Sequence, residues 1–122
     1  MSAQAFGIVA AVRQVDAALS PRDERRVLEA HPEVAFATMA DASGALPRKR
    51  STAGAAARLR LLQPWRPTVL DDLTGVPDGA PLDDALDALA CAWVAQRWAR
   101  GEAEVLGDGT RDARGLVMRI VT

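Results

Sequence analysis

A chain that carries the stretch Pro81 to Arg100, PLDDALDALACAWVAQRWAR, has to provide a core for one long amphipathic helix. Leu82, Leu86, Leu89 and Trp93 recur at steps of four, three and four, the spacing that lines up one helix face. Pro81 suits the first helical position, Gly101 a C-cap, and Arg97 and Arg100 the negative end of the helix. Asp83, Asp84 and Asp87 form an acidic patch, because side chains three or four residues apart on a helix are neighbours, about 5–6 Å between Cβ atoms. The helix dipole accounts for Asp83 in the first turn, partly for Asp84, and reaches Asp87 poorly. Asp87 as a solvated residue is the other ordinary reading, but its next-turn neighbours Ala90 and Cys91 are small and apolar. On this helix alone, a working carboxylate cluster and a plain acidic helix start both stay open.

The remaining elements are expected around that helix. Ser2 to Leu19 reads as a first helix capped by Ser2, with Ala5, Ile8, Val12, Val15 and Leu19 on one stripe. Val27 to His31 is too short for a helix, and alternation makes it a strand with Glu29 near its end. Pro32 to Ala40 reads as a short helix preceded by His31 at the cap position. A loop over Asp41 to Pro47, containing Ser43 and Gly44, then leads to a third helix from Ser51 or Thr52 to about Leu62. Gln63 to Ala80, rich in Pro and Gly, reads as an irregular connection. Ala103 to Leu106 and Leu116 to Val121 read as a terminal pair of strands.

With 122 residues, 49% apolar and 25% charged, the chain is expected to be one domain, residues 1–122, of ordinary globular composition. The net charge of −1 gives no overall attraction to nucleic acid, so such binding has to come from a local patch. Three Trp, two Phe and no Tyr disfavour a base-stacking platform. Cys91 is the single cysteine, which excludes an intramolecular disulfide and a Cys-based zinc cage. No apolar run is long enough to span a membrane and the N-terminus has no signal-peptide pattern, so cytoplasmic residence is expected.

Two further groups carry chemical interest. Glu29, His31 and Glu33 fall together, which a solvated strand end and a helix first turn explain, unless Glu29 meets Asp84 and Asp87 in a carboxylate site for Mg²⁺ or Mn²⁺. Arg48, Lys49 and Arg50 place cations in front of a helix N-terminus, against its dipole. Either they are a solvated loop, or an anion bound there satisfies both the side chains and the helix N–H groups. Arg58 could add a contact to such an anion from within the helix.

The segments SAQAFGIVAAVRQVD, LEAHPEVAF, RKRSTAGAAARLRLL and LDDALDALACAWVAQR, in this order and spacing, resemble the C-terminal part of domain-of-unknown-function family 429. That family is described as predicted nucleases of RNase H-like fold. The resemblance implies an α/β fold, an incomplete RNase H-like domain with helices flanking a small sheet, corresponding to the C-terminal portion of such a domain. It implies metal-dependent phosphodiester hydrolysis, with Glu29 as the fourth-strand acid, Asp84 and Asp87 as the paired acids of the last helix, and Mg²⁺ or Mn²⁺ as the ions. It also implies Lys49 and Arg58, with Arg50 beside them, as contacts to substrate phosphate.

Set against that family, the chain begins where the domain should have its central helix. The opening three-stranded meander and its catalytic Asp are therefore expected to be absent, and hydrolysis by the chain alone is expected to fail. The Val27 strand is expected to lack its pairing partners, leaving an edge that favours a homodimer or a partner chain. The competing function is thus a non-catalytic interaction module that pairs through this edge.

Overall fold

The computed structural model describes residues 3–41 and 44–122. Ser2, expected as a cap, and Ser43, in the expected loop, lie outside the described residues. The described chain is α/β and mostly helical: α1 (Ala3–Ala18), a 3₁₀ turn (Pro21–Asp23), α2 (Pro32–Met39), α3 (Thr52–Leu62), α4 (Val69–Thr74), α5 (Leu82–Arg100), β1 (Val105–Leu106) and β2 (Ile120–Val121). No helix of the described residues is long and apolar enough to cross a membrane. The chain divides into two compact units, Met1–Leu28 with Gly107–Arg119, and Glu29–Leu106 with Ile120–Thr122.

The first unit is held by polar bonds. The Glu24 carboxylate accepts from Arg111 and from the Val117 N–H, at 2.8 and 2.9 Å, and Arg114 reaches Asp16 at 3.0 Å. The bonds to Glu24 hold its carboxyl below its usual range, the Val117 N–H contributing most and Arg111 adding to it. The α1 stripe does not become a core: Ile8, Val12 and Val15 stay more than half exposed.

The second unit has an apolar core. α5 packs against α2 and α3, which also touch each other. Leu86, Ala90 and Val94 of α5 are fully buried, with Ala35 and Phe36 from α2, Leu62 from α3, Val69 from α4 and Val121 from β2. The buried line on α5 thus runs at steps of four from Leu86, whereas Leu82 is 47% exposed. The difference arises because Pro81 is extended, φ −61° and ψ 141°, so the helix starts at Leu82 and its first turn projects beyond the core. Gly101 does close α5, in the left-handed region at φ 72°. The connection read as irregular contains α4, whose Thr68-to-Thr74 turn is steadied by Arg66 on Asp72, at 2.6 and 2.8 Å.

The sheet is small. β1 and β2 are antiparallel, Val105 facing Val121 and Leu106 facing Ile120, so the terminal pair forms with shorter strands than expected. The expected Val27 to His31 strand shrinks to one parallel bridge between Ala30 and Val121, where the Glu29 carbonyl accepts the Val121 N–H at 2.8 Å. It therefore has a partner, because β2 returns beside it. With β2 between them, the Ala30 segment and β1 are the two outer members of this small sheet among the described residues.

Candidate functional site

The start of α3 fixes the geometry. Ser51 is its N-cap, accepting the Gly54 N–H at 3.0 Å, while its hydroxyl donates to the Arg48 carbonyl at 2.7 Å. Gly54 is buried where the loop folds back on the first turn: a Cβ there would stand 1.9 Å from the Arg48 carbonyl oxygen. Only a residue without a side chain allows this approach. The loop is thereby laid against the first half of α5, with Lys49 and Arg50 facing its acids.

The acids and bases that the sequence suggests as two separate sites neutralise one another. Lys49 Nζ donates to Asp87 Oδ2 at 2.7 Å and stands 3.8 Å from Asp83 Oδ2. Arg50 Nε donates to the same Asp83 oxygen at 3.1 Å. The bond to Asp87, reinforced by the fields of Asp83 and Glu33, raises the Lys49 ammonium above its usual pKa despite partial burial. The bond from Arg50 and the field of Lys49 lower the Asp83 carboxyl. Asp87 Oδ1 is buried without a hydrogen-bond partner. Burial and the negative Asp87 both push up the Cys91 thiol, leaving it a poor nucleophile.

Arg58 faces inward. Its guanidinium grips Glu33 through Nε and a second nitrogen, at 3.1 and 2.5 Å, and donates to the carbonyls of Pro47 and Gly54, each at 3.0 Å. It also lies over the Phe36 ring, 5.4 Å from the centroid. With its side chain 2% exposed, Arg58 ties α2 and the loop to α3, its guanidinium engaged by groups of the protein itself. Lys49, Arg50, Ser51, Thr52, Ala55, Leu82 and Asp83 line an open depression of about 310 Å³ at the N-terminus of α3.

The expected convergence of Glu29, Asp84 and Asp87 is not seen. Among the described residues no three Asp, Glu, His or Cys side chains are grouped to hold a metal ion. Glu29 is exposed beside β2. Asp84 is exposed, roughly 100° further round α5 than Asp83. Asp83 and Asp87, four apart, are the pair that turns toward the loop. Helix dipoles account for Asp83 and Glu33 in the sequence, and both prove to be tertiary ion-pair partners; the run Arg48-Lys49-Arg50 is the signal of opposite charge for Asp83, and Arg58 is that for Glu33.

These residues do not fit the Mg²⁺ or Mn²⁺ implied by an RNase H-like fold. The cation between Asp83 and Asp87 is the ammonium of Lys49, at hydrogen-bond and ion-pair distances, whereas Mg²⁺ needs oxygens at about 2.0–2.1 Å.

No curated protein and no solved structure matches the chain. The family model described as protein of unknown function (DUF429) matches residues 1–111. On that match, which covers most of its length, the chain belongs to the DUF429 family.

Proposed function

We propose that this chain is a homologue of metal-dependent RNase H-like nucleases that holds nucleic-acid phosphate at the start of α3 and does not itself hydrolyse the phosphodiester at a useful rate. One observation carries the reading: Lys49 and Arg50 line an open depression onto which the positive end of α3 looks. Arg50, 78% exposed, can turn from Asp83 to a phosphate. Cleavage is disfavoured because Asp83 and Asp87 are occupied by Lys49 and Glu29 stands apart from them. The lone, unactivated Cys91 suits a reducing compartment, and we place the activity in the cytoplasm.

The test pairs binding with turnover. Anisotropy of labelled single-stranded and duplex DNA and RNA over a salt series is expected to show salt-dependent binding. Replacing Lys49 and Arg50 by Gln is expected to flatten its slope by about 0.7–0.9 log unit for each lost phosphate contact. The same oligonucleotides with Mg²⁺ or Mn²⁺ should stay intact. Absent binding at low salt, or a slope untouched by the double substitution, overturns the phosphate reading. Cleavage that disappears in both Glu29→Gln and Asp87→Asn overturns the inactive one.

A second reading, a non-catalytic module that pairs through its sheet, is favoured by β1: an edge strand with Val105 and Leu106 about half exposed. Light scattering on the intact chain and a Val105→Lys variant separates the two, since only an edge-paired dimer falls to a monomer.

A further inference from the structure

The acidic cluster on α5 and α2 shares Asp87 with the Glu29, Asp84 and Asp87 set that the resemblance implies for a divalent ion, and a lysine stands in it. Lys49 Nζ is 2.7 Å from Asp87 and 3.8 Å from Asp83, with Glu33 close enough to add its field. The lysine backbone is fixed by the tight approach of the loop to Gly54 and by the Ser51 bond to the Arg48 carbonyl. Three carboxylates, of Glu33, Asp83 and Asp87, face three cations, of Lys49, Arg50 and Arg58, so the cluster is neutral without any ion.

We propose that Lys49 is the resident cation of this cluster, and that the chain binds no Mg²⁺ or Mn²⁺ there while Lys49 is in place. An ammonium about 4 Å from a divalent ion repels it enough to lower affinity roughly thirtyfold even at the dielectric of water. Lys49 also takes Asp87 Oδ2, leaving Oδ1 buried. It acts as a clasp between the loop and α5 whose strength does not depend on metal supply. The inference rests on this geometry and not on nucleic-acid binding; its test contains no nucleic acid, so either reading can fail without the other.

The experiment is a Mn²⁺ titration of the whole chain followed by electron paramagnetic resonance at fixed salt, with circular dichroism to confirm folding. The chain as it stands is expected to show no saturable Mn²⁺ binding. Lys49→Met, which keeps the length of the side chain and removes the charge, is expected to raise Mn²⁺ affinity roughly thirtyfold. Asp87→Asn in that background should remove the gain. Lys49→Gln, which keeps a donor for Asp87, takes the place of Lys49→Met if the latter does not fold. A one-to-one Mn²⁺ site in the unaltered chain that Asp87→Asn abolishes overturns the proposal. So does equal Mn²⁺ affinity with and without the Lys49 charge.

Discussion

Replacing Arg58 by Met separates a structural arginine from a substrate contact. The change keeps most of the side-chain volume and removes the guanidinium, leaving Glu33 without its two-point partner and the Pro47 carbonyl without its donor. Breaking a buried pair from one side costs about 3–5 kcal/mol. Glu33 is 40% exposed, so water recovers part of its lost stabilisation and the lower end applies. The Pro47 carbonyl adds roughly 1 kcal/mol. The expected loss is about 3–4 kcal/mol, which for a chain of this length lowers Tm by on the order of 12–15 °C. Urea unfolding followed by far-UV circular dichroism measures it. A cycle with Glu33→Gln should give a coupling of at least about 1 kcal/mol, since the two side chains act on each other directly. A loss below about 1 kcal/mol, accompanied by a flattened salt dependence of nucleic-acid binding, would return Arg58 to the phosphate site and refute the reasoning.

Two further outcomes are expected. Gly54→Ala should destabilise by at least about 1–3 kcal/mol, because its Cβ meets the Arg48 backbone, which cannot swing aside. Gly7→Ala on α1, where a Cβ meets nothing within 4 Å, should instead stabilise by about 0.5–1 kcal/mol, and paired urea melts will show the opposite signs. In acid, Asp83 has a folded pKa below its ordinary 3.8, so its contribution is present above that value and is lost as pH falls through the folded one. Lys49 has a folded pKa above its ordinary 10.5, so its contribution is complete below that value and is lost as pH rises through the folded one. A urea midpoint followed from pH 2 to 12 should therefore fall at both ends, with the acid limb shallower in Asp83→Asn and the alkaline limb shallower in Lys49→Met.

Local rules were enough for most helix ends, although they missed α4 and set the start of α5 one residue early. The Ser51 cap and the run to Leu62 define α3 as the structure has it, Gly101 ends α5, and the proline at position 32 opens α2, because caps and breakers act within one turn of chain. Family membership was equally legible, being carried by four segments and their order. The α1 stripe and the strand at Val27 were less so: burial and strand pairing depend on what returns beside a segment, and β2 arrives from ninety residues away to pair only at Ala30.

The candidate site shows where the division lies. The sequence determined that an acidic helix and a basic loop exist, each conspicuous against its own surroundings, and suggested a metal site for one and an anion site for the other. It could not determine that they face each other. Electrostatic partners are chosen by which helix faces meet, and Lys49 and Asp87 are thirty-eight residues apart. Only the packing of α3 against α5, with the loop folded onto Gly54 and α5 turned by the buried line Leu86, Ala90 and Val94, brings Asp83 and Asp87 toward the loop and leaves Asp84 in solvent. Charge patterns are visible along a chain, but their neutralisation is decided across it.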